Sequence, residues 1–447
     1  MEEQSLSQYA RHARYTRHHH LRDHRANYML FFIESFGYPL AFSMISPATI
    51  LPLLLINLGA SNLVVGLLPA LASLGAFLPC ILAAVYLQRV PVKKYWLVTL
   101  GMLERLFILT MAAGLMIWSK SNPSLAILCI LISWMMFNFM AGLVIPSYHS
   151  VLAKCLLPEE RGGMIGWSGA LAGIAGVFAA QAAGLVIARV TFPENYSILF
   201  VAAFLILSVS LLPFLLAREP ADPVPEQVHS VRQYMREALG TLKTNSGYLW
   251  AVVAMSVISF SLMAASFYST HAVRNLGASA EQIARLAAIS VGTGVVSFPL
   301  LGKMADRRGH KRVLEITSAS FAIAAALALA SSSLAGVYCV IVLASIGTTG
   351  ISVSQNVIWA EFAPCHSRVP MYASISLLLI MPFRVATPIL AGWMADVWGF
   401  PAMFWTALVS GVAAWAILFI AVPEPRRMQS PQTQKCRPAR ARTDTPC

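Results

Sequence analysis

The sequence predicts an all-α membrane protein with twelve transmembrane helices in two halves of six. Three observations lead to this fold class. Charged residues make up only 11% of the 447 residues and hydrophobic residues 57%, whereas a soluble domain carries about 25% charged residues. Apolar runs of roughly 20 residues, the length that crosses a bilayer as a helix, recur along the chain. Basic residues cluster in alternate connections between these runs, as positive-inside loops do.

The twelve apolar runs are called TM1 to TM12. In the first half they cover 28–56, 63–87, 95–118, 124–152, 164–188 and 196–217. In the second half they cover 248–272, 282–304, 313–333, 335–360, 370–395 and 399–422.

The segments outside these runs predict the domain organisation. Residues 1–26 form a basic tail, 27–217 the first six-helix bundle, and 247–422 the second. The linker at 218–246 is polar, and its apolar residues recur at helical spacing, which indicates an amphipathic helix on the membrane surface. The tail at 423–447 is rich in Pro, Arg, Gln and Thr, so we expect it to be disordered.

The distribution of basic residues predicts the orientation. Of the 32 Lys and Arg residues, 26 lie in the two tails and in the connections that follow even-numbered spans, and 4 lie in the other connections. By the positive-inside rule, both termini are cytoplasmic in a multi-pass protein of the inner (plasma) membrane. The same distribution assigns the net charge of +13 to loops and tails facing anionic lipid, and it argues against nucleic acid as a partner.

One basic segment between TM8 and TM9 carries a recognisable motif. Residues 302–312 read GKMADRRGHKR, with five bases and the single acid Asp306, and we expect a short turn here. The pattern G-x-x-A-D-R-x-G-x-K-R resembles the signature of the major facilitator superfamily of secondary transporters. The resemblance covers 27–422 and implies two pseudo-symmetric six-helix bundles that work by alternating access. The first-half counterpart departs from the pattern, with Gln88 in place of the acid and Pro91 in place of the second glycine.

The resemblance also implies a gating role for this segment. Gly302 and Gly309 would allow a tight backbone path, and Asp306 would meet the start of TM5 when the cytoplasmic side is closed. The bases of the motif, Arg307 among them, would meet Glu361 at the end of TM10.

Two ionisable residues within spans are candidates for the transport path, because charge at membrane depth is costly. Glu34 lies about six residues, roughly 9 Å, into TM1. It is either a proton-carrying or cargo-binding carboxylate or a structural partner of Arg105 on TM3. Arg384 lies roughly 21 Å into TM11 between two prolines, and it is either a cargo-binding cation or a lock on freed carbonyls. Adjacent Glu104 and Arg105 are interpreted as structural.

Uncharged polar residues complete the candidate path. They lie on spans that the resemblance places beside the path, although interhelical hydrogen bonds explain each of them equally well. They are Asn138, Gln181, Ser261, Tyr268, Gln355 and Asn356.

The sequence has no nucleotide-binding G-x-x-x-x-G-K-[ST], no H-E-x-x-H and no G-x-S-x-G, so neither an ATP-driven pump nor a hydrolase is indicated. We therefore expect no enzyme activity, no cofactor and no metal. We also expect the protein to be a monomer. The expected partner is a small amphipathic or weakly acidic organic solute, with a proton as the candidate coupling ion. The alternative is a non-transporting member of the same fold that acts as an assembly or pigment-delivery factor, and loss of the central cavity would favour it.

Overall fold

The computed structural model describes residues 25–87, 90–221, 245–355, 357–363 and 369–424. Within these ranges, eleven helices are long and apolar enough to cross a membrane. The predicted TM1 is instead two shorter helices, 25–44 and Ile50–Asn57, separated by a turn. Pro47 explains the break, because the residue before a proline disfavours the helical conformation. The predicted linker helix and both tails lie mostly outside the described residues.

The remaining helices follow the predicted spans; TM4, TM5, TM8 and TM11 extend beyond them at both ends, whereas TM12 is shorter at both ends. TM2 to TM6 are Asn62–Leu87, Lys94–Trp118, Pro123–Cys155, Pro158–Arg189 and Glu194–Leu211, the last extended by the 3₁₀ turn Leu212–Leu216. TM8, TM9, TM11 and TM12 are Ala280–Arg308, His310–Ala330, Val369–Val397 and Phe400–Ile420. Two spans predicted as single helices are interrupted. TM7 is Ser246–Leu262, the 3₁₀ turn Met263–Ser266 and Tyr268–Leu276, and TM10 is Leu334–Ser354 followed by Ile358–Phe362.

The predicted turn at 302–312 is wrong in extent. Residues 302–308 form the last two turns of TM8, and His310 already begins TM9. The reversal is confined to Gly309, whose φ of +87° is a conformation that favours glycine. The basic residues of the motif therefore project from two helix ends rather than from a loop.

The two halves repeat the same helix packing. In the first half TM2 packs on TM4, and TM3 packs on TM4 and TM6. In the second half TM8 packs on TM10, and TM9 packs on TM10 and TM12. Two further pairs, TM5 with TM8 and TM2 with TM11, join the halves. The fold is thus a pair of pseudo-symmetric six-helix bundles, and these two helix pairs are the main contacts between them.

The molecule has two distinguishable ends. We call the end that carries the connections after TM2, TM4, TM8 and TM10 the basic end, and the other the opposite end. At the basic end, Glu219 follows TM6 and its buried carboxylate accepts from the backbone N–H groups of Lys93 and Lys94 at 2.8 and 2.7 Å. It also lies 2.7 Å from the Lys154 ammonium on TM4. A carboxylate at the start of TM3 matches the positive end of the helix dipole and ties three helices together.

Candidate functional site

A cavity of about 1150 Å³ lies between the halves, with walls from TM1, TM3, TM4, TM5, TM6 and TM8. Its volume is slightly larger than the roughly 300–1,000 Å³ that is typical of small-molecule sites. Most of the wall is apolar or aromatic, with Phe42, Tyr148, Trp167 and Phe298 among the lining side chains. A wall of this kind suits an amphipathic organic molecule.

The charged part of the wall is an ion pair between TM1 and TM3. The Arg105 guanidinium donates through Nη2 to Glu34 Oε1 at 2.9 Å. It also donates to the carbonyl oxygens of Gly101 and Leu207, each at 2.8 Å. Arg105 is 1% exposed and Glu34 7%. Buried charges need partners of this kind, and the structure shows the pairing that the sequence left as one of two alternatives.

Neighbouring side chains extend this ion pair into a network. Ser210 on TM6 donates to Glu34 Oε2 at 2.8 Å, and the Tyr38 hydroxyl donates to Glu104 Oε1 at 3.2 Å. Glu104 Oε2 lies 3.6 Å from Arg105 Nη1. Glu104 and Arg105, interpreted from sequence as structural only, also line the cavity. Three helices therefore hold two carboxylates around one guanidinium at the cavity wall.

Sequence reasoning missed several lining residues. Tyr38 stands four residues after Glu34, and this spacing places both on one face of TM1. That relation was readable from the sequence. Tyr148 and His149, near the end of TM4, also line the cavity, and no comparable pattern marks them.

The two halves are in contact at the opposite end. The Asp396 carboxylate at the end of TM11 accepts from the backbone N–H groups of Asn62 and Leu63, at 3.0 and 2.8 Å, at the start of TM2. Ser269 on TM7 donates to the Ala48 carbonyl at 2.6 Å, and Arg274 donates to a carbonyl of the segment before TM2. These contacts join TM1 and TM2 to TM7 and TM11, so they close this end.

Toward the basic end the halves separate. A Cβ added at Gly173 on TM5 would lie 2.2 Å from Val295 on TM8, which shows how closely the two helices approach there. Nearer the basic end, a Cβ at Gly166 or Gly169 would meet nothing within 4 Å, and both glycines line the cavity. The cavity thus widens from the contact at Gly173 toward the basic end.

Arg384 lies outside the large cavity in this state. Its Nη2 donates to Gln355 Oε1 at 2.8 Å, and the two residues border a separate void of only about 10 Å³. Phe77 of TM2 lines the same void, so Arg384 faces the interface of TM11 with the first half. Among the described residues, no open polar cavity surrounds Arg384, so its role as a cargo-binding cation stays a prediction.

Of the other polar residues predicted for the path, two are held by main-chain carbonyls. Asn138 donates to Trp134 at 2.8 Å, and Ser261 donates to Ala407 at 2.8 Å. Tyr268 is buried in the core and stacks on the Phe404 ring at 5.5 Å.

The remaining predicted residues fall into two groups. Gln181 is on TM5 but is not part of the cavity lining, and Asn356 lies outside the described residues. Gly302, Asp306 and Arg307 are on the last turns of TM8, and Glu361 is on the short helix after TM10. The contacts predicted for Asp306 belong to a state closed at the basic end, so its gating role stays a prediction.

Comparisons with known proteins agree with this arrangement. A family model described as Major Facilitator Superfamily matches residues 31–272 and 249–444. A curated relative, the cis,cis-muconate transport protein of Acinetobacter baylyi, is 23% identical over 194 residues. That match covers 43% of this chain and 46% of the relative, so less than half of the relative's length is spanned.

Three solved structures share the fold at low sequence identity. A bacterial homologue of the human lysosomal transporter Spinster, inward-facing and unoccupied, has a TM-score of 0.58 at 16% identity and covers 94% of this chain and 99% of its own. The D-xylose–proton symporter has a TM-score of 0.65 at 15% identity, covering 90% and 98%. The nucleoside transporter NupG has a TM-score of 0.63 at 13% identity, covering 88% and 97%.

Proposed function

The chain belongs to the major facilitator superfamily, and on this premise we propose that it moves a small organic solute across the inner membrane by alternating access. The observation that carries the proposal is the 1150 Å³ cavity between the halves, which widens toward the basic end. Contacts across the halves close the opposite end. A transporter of this class exposes one central site to each side in turn, by movement of one bundle against the other.

The muconate transporter among the relatives supports a small organic solute in general terms. The alternative, a non-transporting assembly or pigment-delivery factor, predicts a filled or lost cavity. The open cavity therefore favours transport.

The orientation belongs to the same proposal. With 26 of the 32 Lys and Arg residues on one side, we infer that the basic end and both termini are cytoplasmic. The structure then has its cavity open to the cytoplasm. A reporter that is active only in the periplasm, fused after Cys447, should be silent. A strong signal would contradict either the orientation or the even number of spans.

We further infer that transport is coupled to protons through Glu34. Its carboxylate lines the cavity beside Arg105 and Ser210, where loss or gain of a proton would rearrange the network. Glu34→Gln should therefore abolish transport driven by a pH gradient but preserve solute exchange between compartments of equal pH. Unchanged gradient-driven transport would remove Glu34 from this role.

Transport itself is tested with a cavity-filling variant. A thermal-shift screen of organic solutes on the purified protein identifies ligands, and counterflow in proteoliposomes then measures their flux. Gly169→Trp should abolish both ligand binding and flux, because position 169 lines the cavity and has open space beside it that the indole would fill. Val209→Trp, at a side chain that is 66% exposed on TM6, is the matched control and should retain both. Ligands that bind the cavity without any flux would contradict transport and favour the alternative.

A further inference from the structure

The charge of the cavity wall is unbalanced. Among the described residues, the acidic and basic side chains that line the cavity are Glu34, Glu104, Arg105 and His149. Two carboxyl groups thus face one guanidinium, and when both are ionised and the imidazole is neutral the wall carries one surplus negative charge. The surplus lies at the wall shared by TM1 and TM3.

The single guanidinium is already engaged. Arg105 donates to Glu34 at 2.9 Å and to the carbonyls of Gly101 and Leu207, and Glu104 lies 3.6 Å away. An anion in the cavity would have to displace one of these acceptors and would face both carboxylates. A dicarboxylate, such as the muconate named for the curated relative, would meet this repulsion twice.

A cation in the cavity would be attracted by the carboxylates that repel an anion. Its charge offsets the surplus carboxylate without breaking the ion pair, and the aromatic lining offers ring faces that attract cations. The Tyr38 ring already stacks on Phe42 at 5.0 Å and has the Arg105 guanidinium 6.0 Å from its centroid. The exposed ring faces are those of other lining residues, such as Trp167, which is 74% exposed at the wall formed by TM5. Carboxylates and aromatic faces around a mostly apolar space fit an organic cation with an apolar body.

We propose that this cavity selects organic monocations with apolar or aromatic bodies and discriminates against organic anions of the same size. The proposal rests on the function proposed above, since it names the solute class of the same cavity. Of the two kinds of solute expected from the sequence, it keeps the amphipathic molecule and excludes the weakly acidic one.

Two ions of nearly equal shape and opposite charge test the selectivity. Tetraphenylphosphonium and tetraphenylborate are titrated into the full-length protein in detergent, with empty micelles subtracted and Gly169→Trp defining binding outside the cavity. We expect the phosphonium to bind at least about tenfold more tightly than the borate, from attraction or repulsion over several ångströms in a protein interior. Equal affinities, tighter binding of the borate, or no cavity binding of the phosphonium would overturn the proposal.

Glu104→Gln removes the surplus charge and leaves the pair of Glu34 with Arg105 in place. It should weaken phosphonium binding about tenfold and bring the affinities of the two ions together. Glu281→Gln, at an exposed acid at the opposite end, should change neither affinity. Unchanged phosphonium binding in a folded Glu104→Gln protein would overturn the proposal. If that variant does not fold, the comparison of the two ions on the native chain still decides.

A flux measurement distinguishes failure of this selectivity from failure of the proposed transport function. Selective phosphonium binding without carrier-mediated exchange in proteoliposomes would contradict transport and leave the selectivity standing. Carrier-mediated flux of organic anions in preference to cations would contradict the selectivity and leave transport standing.

Discussion

The contact of Asp396 with the start of TM2 predicts how the conformational equilibrium responds to a single carboxylate. In this state the carboxylate accepts two backbone N–H groups across the halves, at 3.0 and 2.8 Å. Opening of the opposite end would separate TM2 from TM11 and break both hydrogen bonds. Asp396→Asn should therefore raise the population open at the opposite end rather than unfold the protein.

The magnitude follows from the groups involved. A carboxylate at an exposed helix N-terminus contributes about 0.3–1 kcal/mol. A hydrogen bond to a charged group contributes about 1.5–3 kcal/mol when buried, and less at an exposed side chain such as this one. The asparagine carbonyl keeps one acceptor, so a loss of about 1–2 kcal/mol is expected, which is roughly a five- to thirtyfold change in the equilibrium.

Spin labels report the change directly. Ser121 and Ser332 lie in exposed connections of the first and second half at the opposite end, so labelled cysteines there should show a longer distance component that grows in Asp396→Asn. Glu281→Gln removes an acid at the same end whose ion pair stays within TM8, and it should leave the distances unchanged. Identical distance distributions in Asp396→Asn and the native chain would refute the reasoning.

Three further perturbations test other contacts. Arg105→Met leaves the Glu34 carboxylate buried without its partner and should lower the free energy of unfolding by about 3–5 kcal/mol. Glu34→Gln should lower it by only about 1–3 kcal/mol. Native-like thermal stability of the arginine variant would contradict the ion pair. Gly66→Ala places a Cβ 2.3 Å from a TM11 carbonyl oxygen, so it should disfavour the closed opposite end by about 1–3 kcal/mol. Gly166→Ala meets open space and should leave the spin-label distances unchanged; equal effects of both glycine variants would contradict the packing argument. Asp306→Asn should speed labelling of a cavity cysteine from the basic end, and unchanged labelling would reduce the motif to a topology signal.

The helices could be predicted because they depend on local patterns, whereas their arrangement in two bundles was inferred from the polar linker and from the family resemblance. Apolar runs and alternating basic connections mark each span without reference to its neighbours. The break in TM7 was not predictable in this way, because residues 263–267 are mostly apolar and continue the pattern. The break in TM10 follows the polar residues Ser354 and Gln355, which the sequence prediction placed within one long span.

The candidate site was only partly predictable, because it depends on distant contacts and on the conformational state. Glu34 and Arg105 were identified as possible partners since membrane-depth charges need counter-ions, and the structure pairs them at 2.9 Å. The hydrogen bond from the Asn62 N–H to Asp396 joins residues 334 positions apart, and neither local sequence indicates it. Arg384 was a candidate for the cavity because of its depth, with a lock on freed carbonyls as the alternative, and depth does not fix the direction of a side chain around the helix. In this state Arg384 borders a separate small void and is not part of the lining of the large cavity.

The central claim is that one cavity opens alternately to the two sides of the membrane. A single cysteine at Ala141 in the TM4 wall of the cavity, in an otherwise cysteine-free chain, is labelled with an impermeant thiol reagent added to either side of sealed vesicles. The account predicts labelling from the basic end in the native sequence. In Asp396→Asn, labelling should fall from that side and rise from the other. Labelling from the basic end alone in both proteins, with unchanged rates, would contradict alternating access and leave a cavity that serves no transport.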